Sequence, residues 1–326
     1  MKASIFVVCA SVLILISGCG SDGDNTTESP HFELKIDDLA GKKLTFSNSM
    51  MMSFYSNMIQ KKLDGEVHTG KWSIQNGVLI LKTTLEPVGT EPMTIIFNAK
   101  PAVDVGMTFY AAQSGTAKVT AIENLTDDVV PSYLLSANML SGKKITTDGG
   151  REFSYYHKMI LKDGTEGFGN NTWSVEGGAV IHDEMCGGNN ITSVVYDAEP
   201  ANGVEIAYYT TKDGNTKETD TIASVEALDP DYDPDFTYRV TVDELAGKKA
   251  VSIYGTWYFY ENMTYKYADD NVTRTWSVTN GLIVVNSEDR VYFFNETPAS
   301  GVMISYMDFC HSESGEIAID SFEDIK

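Results

Sequence analysis

Two short stretches hold the residue types best suited to chemistry. In HDEMC (182–186), His182 and Cys186 stand four residues apart, which on a strand puts both on one face. FCH adds Cys310 and His311. Thiolate and imidazole suit copper or zinc. Neighbours on a strand point apart, however, so Cys310 and His311 need a bend to reach one ion. Three fates stay open for these cysteines: a disulfide between Cys186 and Cys310, unpaired thiols, or ligands with His182 and His311 at a metal. The pattern falls short of a metal motif, and no cofactor is expected.

Other chemistry is weaker still. DPDYDPD (229–235) and DGDN (22–25) alternate carboxylates but lack the glycine and closing glutamate of an EF-hand loop. Zinc-protease, nucleophile-elbow and phosphate-loop signatures are absent. Of the five histidines, His31 precedes the first repeat, and His68, His157, His182 and His311 fall at non-equivalent positions. Asp183 and Glu184 are adjacent and face opposite ways on a strand. No catalytic set recurs, and a non-catalytic protein is expected.

What does recur is a phrase: GKWSIQNGVLIL (70–81), NNTWSVEGGAVIH (170–182) and TRTWSVTNGLIVV (273–285). Each is preceded by L-A/S-G-K-K, with Gly41, Gly142 and Gly247 at its centre. Met58, Met159 and Met263 follow those glycines by 17, 17 and 16 residues, and Trp72, Trp173 and Trp276 come 14, 14 and 13 residues later. Such spacing marks three copies of one module, here 33–126, 133–228 and 236–326. Solenoid repeats run to about 20–50 residues; copies as long as a domain suggest beads. Acidic, proline-containing seams (124–132 and 229–236) fit that reading.

Within a copy, short runs rich in Val, Ile, Thr, Tyr and Phe alternate with Asn-Gly, Asp-Gly and Gly-Gly turns. The expected fold is all-β, with six to eight antiparallel strands per copy closed as a small barrel or packed as a sandwich. Trp72 and Ile74 share a strand face with Ser73 opposite. The tryptophans are read as packing anchors rather than stacking platforms for a flat ligand. The lysine pairs 42–43, 143–144 and 248–249 are read as charged strand ends that blunt edge pairing, in preference to an anion site.

The N-terminus sets location. MKASIFVVCASVLILISGC has one lysine, an apolar run too short for an ordinary spanning helix, and a small-residue ending. ISGC resembles a lipobox, the bacterial lipoprotein signal. The resemblance implies that 1–18 is a cleaved signal peptide and that Cys19 is acylated, with enough chains for stable anchoring. Polar residues 19–32 then read as a flexible tether. Gly20 after the cysteine, under the sorting rule of Gram-negative lipoproteins, points to the outer membrane. The repeat spacing, with its G-x-W-x-[IV]-x-[ND]-G core, resembles lipocalin-like bacterial domains, which implies calycin-like barrels.

The net charge is −22, and removal of residues 1–18, whose one charged residue is Lys2, makes it −23. That excludes a nucleic-acid binder. The charge is uneven: the first copy balances nine acids with nine bases, while each distal copy carries 14 acids and seven bases. The expected function is a lipid-anchored cell-envelope protein that binds or adheres through three β domains, its partner a protein, a glycan or a small apolar ligand. The alternative is a lipocalin-like carrier.

Overall fold

The computed structural model describes residues 32–63, 67–83, 93–111, 114–157, 159–163, 171–184, 191–211, 216–229, 238–267, 274–286, 290–308 and 313–325. Every strand pairing among them is antiparallel; the first two copies are closed barrels and the third is a barrel-like sheet of nine strands. The first closes eight strands in sequence order, from β1 (Lys42–Phe46) to β8 (Gly115–Asn124), with β1 paired to β8. The second repeats this from β9 (Lys143–Thr147) to β16 (Thr216–Ala227). In the third the closing strand is broken in two: β24 (Glu313–Ala318) pairs with β23 (Met303–Asp308), and β25 (Ser321–Asp324) pairs with β17 (Lys248–Ser252). Of barrel and sandwich, the fold is the barrel.

The repeated landmarks fix one corner of each barrel. Gly41, Gly142 and Gly247 have φ of 71°, 73° and 74°, the left-handed region that glycine enters without cost. Their amides donate to the carbonyls of Phe54, Tyr155 and Phe259, each at 2.8 Å. Met58, Met159 and Met263 also sit at positive φ (66°, 61° and 62°), which is rare for a long side chain. Each closes a turn by donating its amide to the carbonyl of Tyr55, Tyr156 or Tyr260. The tryptophan indoles donate to those same carbonyls at 3.0, 3.0 and 3.1 Å, and the tryptophan amides donate to the methionine carbonyls at 3.0 Å. All three tryptophans are buried, edge-on to Phe54, Tyr155 and Phe259. They are packing anchors, each pinning a turn of its own barrel.

Two expectations need correction. The lysine pairs do not blunt an edge, because each opening strand is paired on both sides and a closed barrel has no edge there. Several instead meet acids on neighbouring strands: Lys43 with Glu123 at 3.3 Å, Lys144 with Glu152 at 3.0 Å, Lys249 with Glu323 at 3.3 Å, and Lys248 with Asp324. Nor are the copies beads. The described residues, between 32 and 325, form one compact unit. The outward faces of the tryptophan hairpins are apolar and bury one another. Ala179, Ile181 and Val195 of the second barrel join the first barrel's core cluster. Val78, Ile80 and Ile96 of the first join the third's, and Leu282 and Phe293 of the third join the second's. Each barrel thus offers one face and receives another, and three such head-to-tail contacts close a ring. The seam after Asn124 is held too: Asp128 accepts from the Ser56 amide at 2.7 Å and from its hydroxyl at 2.6 Å.

Candidate functional site

Of the residues singled out for chemistry, His182 is described. Cys186, Cys310 and His311 lie outside the described residues, as do the acidic stretches 22–25 and 230–235, residues 1–18, expected to be a signal peptide, and Cys19. His182 sits on β13 (Ala179–Glu184) and faces the interior of the second barrel. Its Nε2 lies 3.0 Å from the Tyr155 hydroxyl, and the Phe153 ring is 5.2 Å away. Burial pushes its pKa down to about 3, so the ring is neutral. Among the described residues, no three His, Cys, Asp or Glu converge as metal ligands.

A neutral histidine here has a measurable signature. Its folded pKa lies below the unfolded value of 6.5, so its contribution is complete above pH 6.5 and is lost as pH falls towards 3. The loss approaches about 1.4 kcal/mol per pH unit. His182→Gln should flatten the fall in urea midpoint between pH 6.5 and 4.5; an unchanged slope would assign that fall to other groups.

Where the three barrels meet there is a second cluster. Ser73, Ser174 and Ser277, the residues after the three tryptophans, line a space of about 30 Å³, enough for a water. Beside it Asp183 of the second barrel accepts from two lysines of the first, Lys82 at 2.7 Å and Lys71 at 3.0 Å. Burial alone would raise the Asp183 carboxyl; the two ammonium groups reverse this and hold it below its ordinary value. Burial keeps the Glu176 carboxyl raised despite Lys71. At the contact between the first and third barrels, Gln75 donates to the Val278 carbonyl at 2.9 Å and accepts from the Val278 amide at 2.8 Å, as a strand would. These groups are partnered across barrel contacts and serve to register the ring.

The third barrel carries a different feature, a cavity of about 340 Å³ at its mouth. Trp257, Tyr267, Tyr292 and Tyr306 line it, with Tyr254 and Arg290. Trp257 lies on β18 (Gly255–Phe259), Tyr292 on β22 (Arg290–Phe294) and Tyr306 on β23, all inward-facing positions. The hairpin tip above reads Ile253-Tyr254, with the two residues 78% and 62% exposed. The second barrel's tip reads Asp148-Gly149-Gly150 and the first's Asn48-Ser49.

One register position differs between the second and third barrels. Phe153 pairs with Ile145 as Trp257 pairs with Ala250, which makes Arg151 and Gly255 equivalent. In the second barrel the Arg151 guanidinium lies 4.6 Å from the centre of the Tyr208 ring, braced by Glu218 at 2.5 Å. In the third, Gly255 has φ 144°, and a Cβ there would meet the Tyr267 ring at 3.1 Å. The position that holds Arg151 in the second copy holds a glycine in the third, where the Tyr267 ring lies beside it and a different arginine, Arg290, covers Tyr306, the equivalent of Tyr208. Sequence reasoning passed over this site. The available signal was Trp257, the one tryptophan of four outside the recurring phrase, in the aromatic-dense run YGTWYFYENMTYKY (254–267).

No protein-family model matches the chain, and no curated protein matches it in sequence.

Proposed function

We propose that this protein is a non-catalytic, lipid-anchored binding protein of the bacterial cell envelope, in which three barrels form one body and the mouth of the third takes up a small ligand. The aromatic cavity of about 340 Å³ carries the binding part. It is within the size range of ligand pockets and combines aromatic walls with polar groups, among them Arg290 and Glu316. The lipobox-like ISGC carries the anchoring part: acylation of Cys19 would hold the ring at the membrane on the tether 19–32. The carrier alternative is favoured over adhesion at the third barrel alone, by that same cavity.

Cys19→Ala should move the protein from the membrane to the soluble fraction, and unchanged fractionation would sink the anchor. The released protein can be screened against small cyclic compounds by thermal unfolding. A ligand at a hundredfold excess over its Kd adds about 2.7 kcal/mol, a rise of several degrees. Ile317→Trp, which fills the cavity from its wall, should abolish that rise. A stabiliser equally effective on both proteins, or none at all, would count against binding at the cavity.

A further inference from the structure

The cavity wall runs from an aromatic arc to a charged end, where Arg290 lines it and Glu316, exposed on β24, lines it as well. Tyr267, Trp257, Tyr292 and Tyr306 follow one another with ring centroids 6.1, 6.1 and 6.3 Å apart. At the Tyr306 end, the Arg290 guanidinium lies 5.4 Å from the ring centre. Its Nε donates to Asp308 Oδ2 at 2.9 Å, and its side chain also bonds Tyr292. The fork is therefore held in orientation while it lines the cavity. Arginine has five N–H donors in one plane, and those not used by Asp308 and Tyr292 can address a second acceptor. A planar fork suits a carboxylate, which can accept two parallel bonds. Gly315 completes the wall: a Cβ there would stand 2.8 Å from the Tyr306 ring, so only glycine lets that ring lie against β24.

We propose that the mouth of the third barrel binds a planar ring compound bearing a carboxylate, with the ring against the aromatic arc and the carboxylate on Arg290. This rests on the binding function proposed above and names its ligand class. A cationic ligand, as in aromatic cages for quaternary ammonium, would meet the guanidinium already in the wall. A sugar has no carboxylate for the guanidinium fork to address. The third copy's acidic balance and Glu316 at the cavity oppose an anion, but charges beyond about 8 Å are largely screened at physiological salt, and Glu316 is exposed to solvent.

Isothermal titration of the full chain with 2-naphthoate, 2-naphthylmethanol and glucose tests this. Asp308 is almost fully buried, so removing Arg290 alone would strand a carboxylate. Arg290→Gln with Asp308→Asn removes both charges together. The expected result is that the native protein prefers naphthoate to the alcohol by tenfold or more, the worth of one charge-assisted bond. The double variant should lose that preference and keep its affinity for the alcohol. If that variant does not fold, Arg290→Lys, which keeps the charge and loses the fork, should lose most of the preference. Equal binding of the two naphthalenes, or a preference that survives these changes, overturns the ligand class and leaves the binding site standing. Binding of glucose alone does the same. If none of the three probes binds, the binding function of this cavity falls with the ligand class.

Discussion

Asp183→Asn should lower the unfolding free energy of the whole protein by about 3 kcal/mol at pH 7, read from urea unfolding of the full chain. The carboxylate is 6% exposed and sits between Lys71 and Lys82, whose side chains are 19% and 25% exposed. Removing one partner of a buried ion pair costs about 3–5 kcal/mol, because the other charge is left uncompensated. The partial exposure of both lysines puts the expectation at the lower end. The acid limb supplies a second readout. The folded pKa of Asp183 is depressed, so its contribution is complete above its unfolded value and is lost as pH falls through the folded one. The asparagine variant should lack that part of the acid transition. A loss below 1 kcal/mol would mean that the cluster is decoration on an apolar contact.

Trp173→Ala should cost about 3–5 kcal/mol and keep a single unfolding transition. The ring is buried edge-on to Tyr155 at 5.2 Å, and its indole N–H closes on the Tyr156 carbonyl at 3.0 Å. Trp173→Phe should cost less. It retains most of the packing, and the Tyr156 carbonyl keeps the Met159 amide at 3.1 Å. Because the second barrel takes in Leu282 and Phe293 and gives Ala179 and Ile181 to the first, its loss exposes apolar surface on both neighbours. Calorimetry showing three separate transitions, with only one moved, would contradict this coupling. A tryptophan that served as a stacking platform would give the opposite profile, with small stability loss and large binding loss.

The sequence carries the barrels in plain form. Turn chemistry at Asn76-Gly77 and Asn280-Gly281, alternation around each tryptophan, and recurrence of Gly, Met and Trp together specify one antiparallel unit written three times. The ring was legible too, in strands that are apolar on both faces. GVLIL (77–81) and GLIVV (281–285) are apolar at every position after the turn, not at alternate ones. Such a strand is buried on both faces; Leu79 faces its own core while Val78 and Ile80 face the next barrel. The interfacial charge cluster was not legible, because Lys71 and Asp183 are far apart in sequence and meet only through the ring. The cavity was hidden for a different reason. Attention to what the copies share turns away from Trp257, Gly255 and Arg290, which belong to one copy.

A ring closed head to tail from three copies has the contacts of a homotrimer, but its subunits lie on one chain. In a true trimer every substitution appears three times and must suit three places at once. Here Asp183 can be matched to Lys71 and Lys82 at one contact, while Gln75 bridges to Val278 at another. Covalent tethering thereby frees each position from threefold bookkeeping. One barrel can place a glycine where another holds an arginine and line its mouth with aromatic rings, while the contacts that close the ring stay in place.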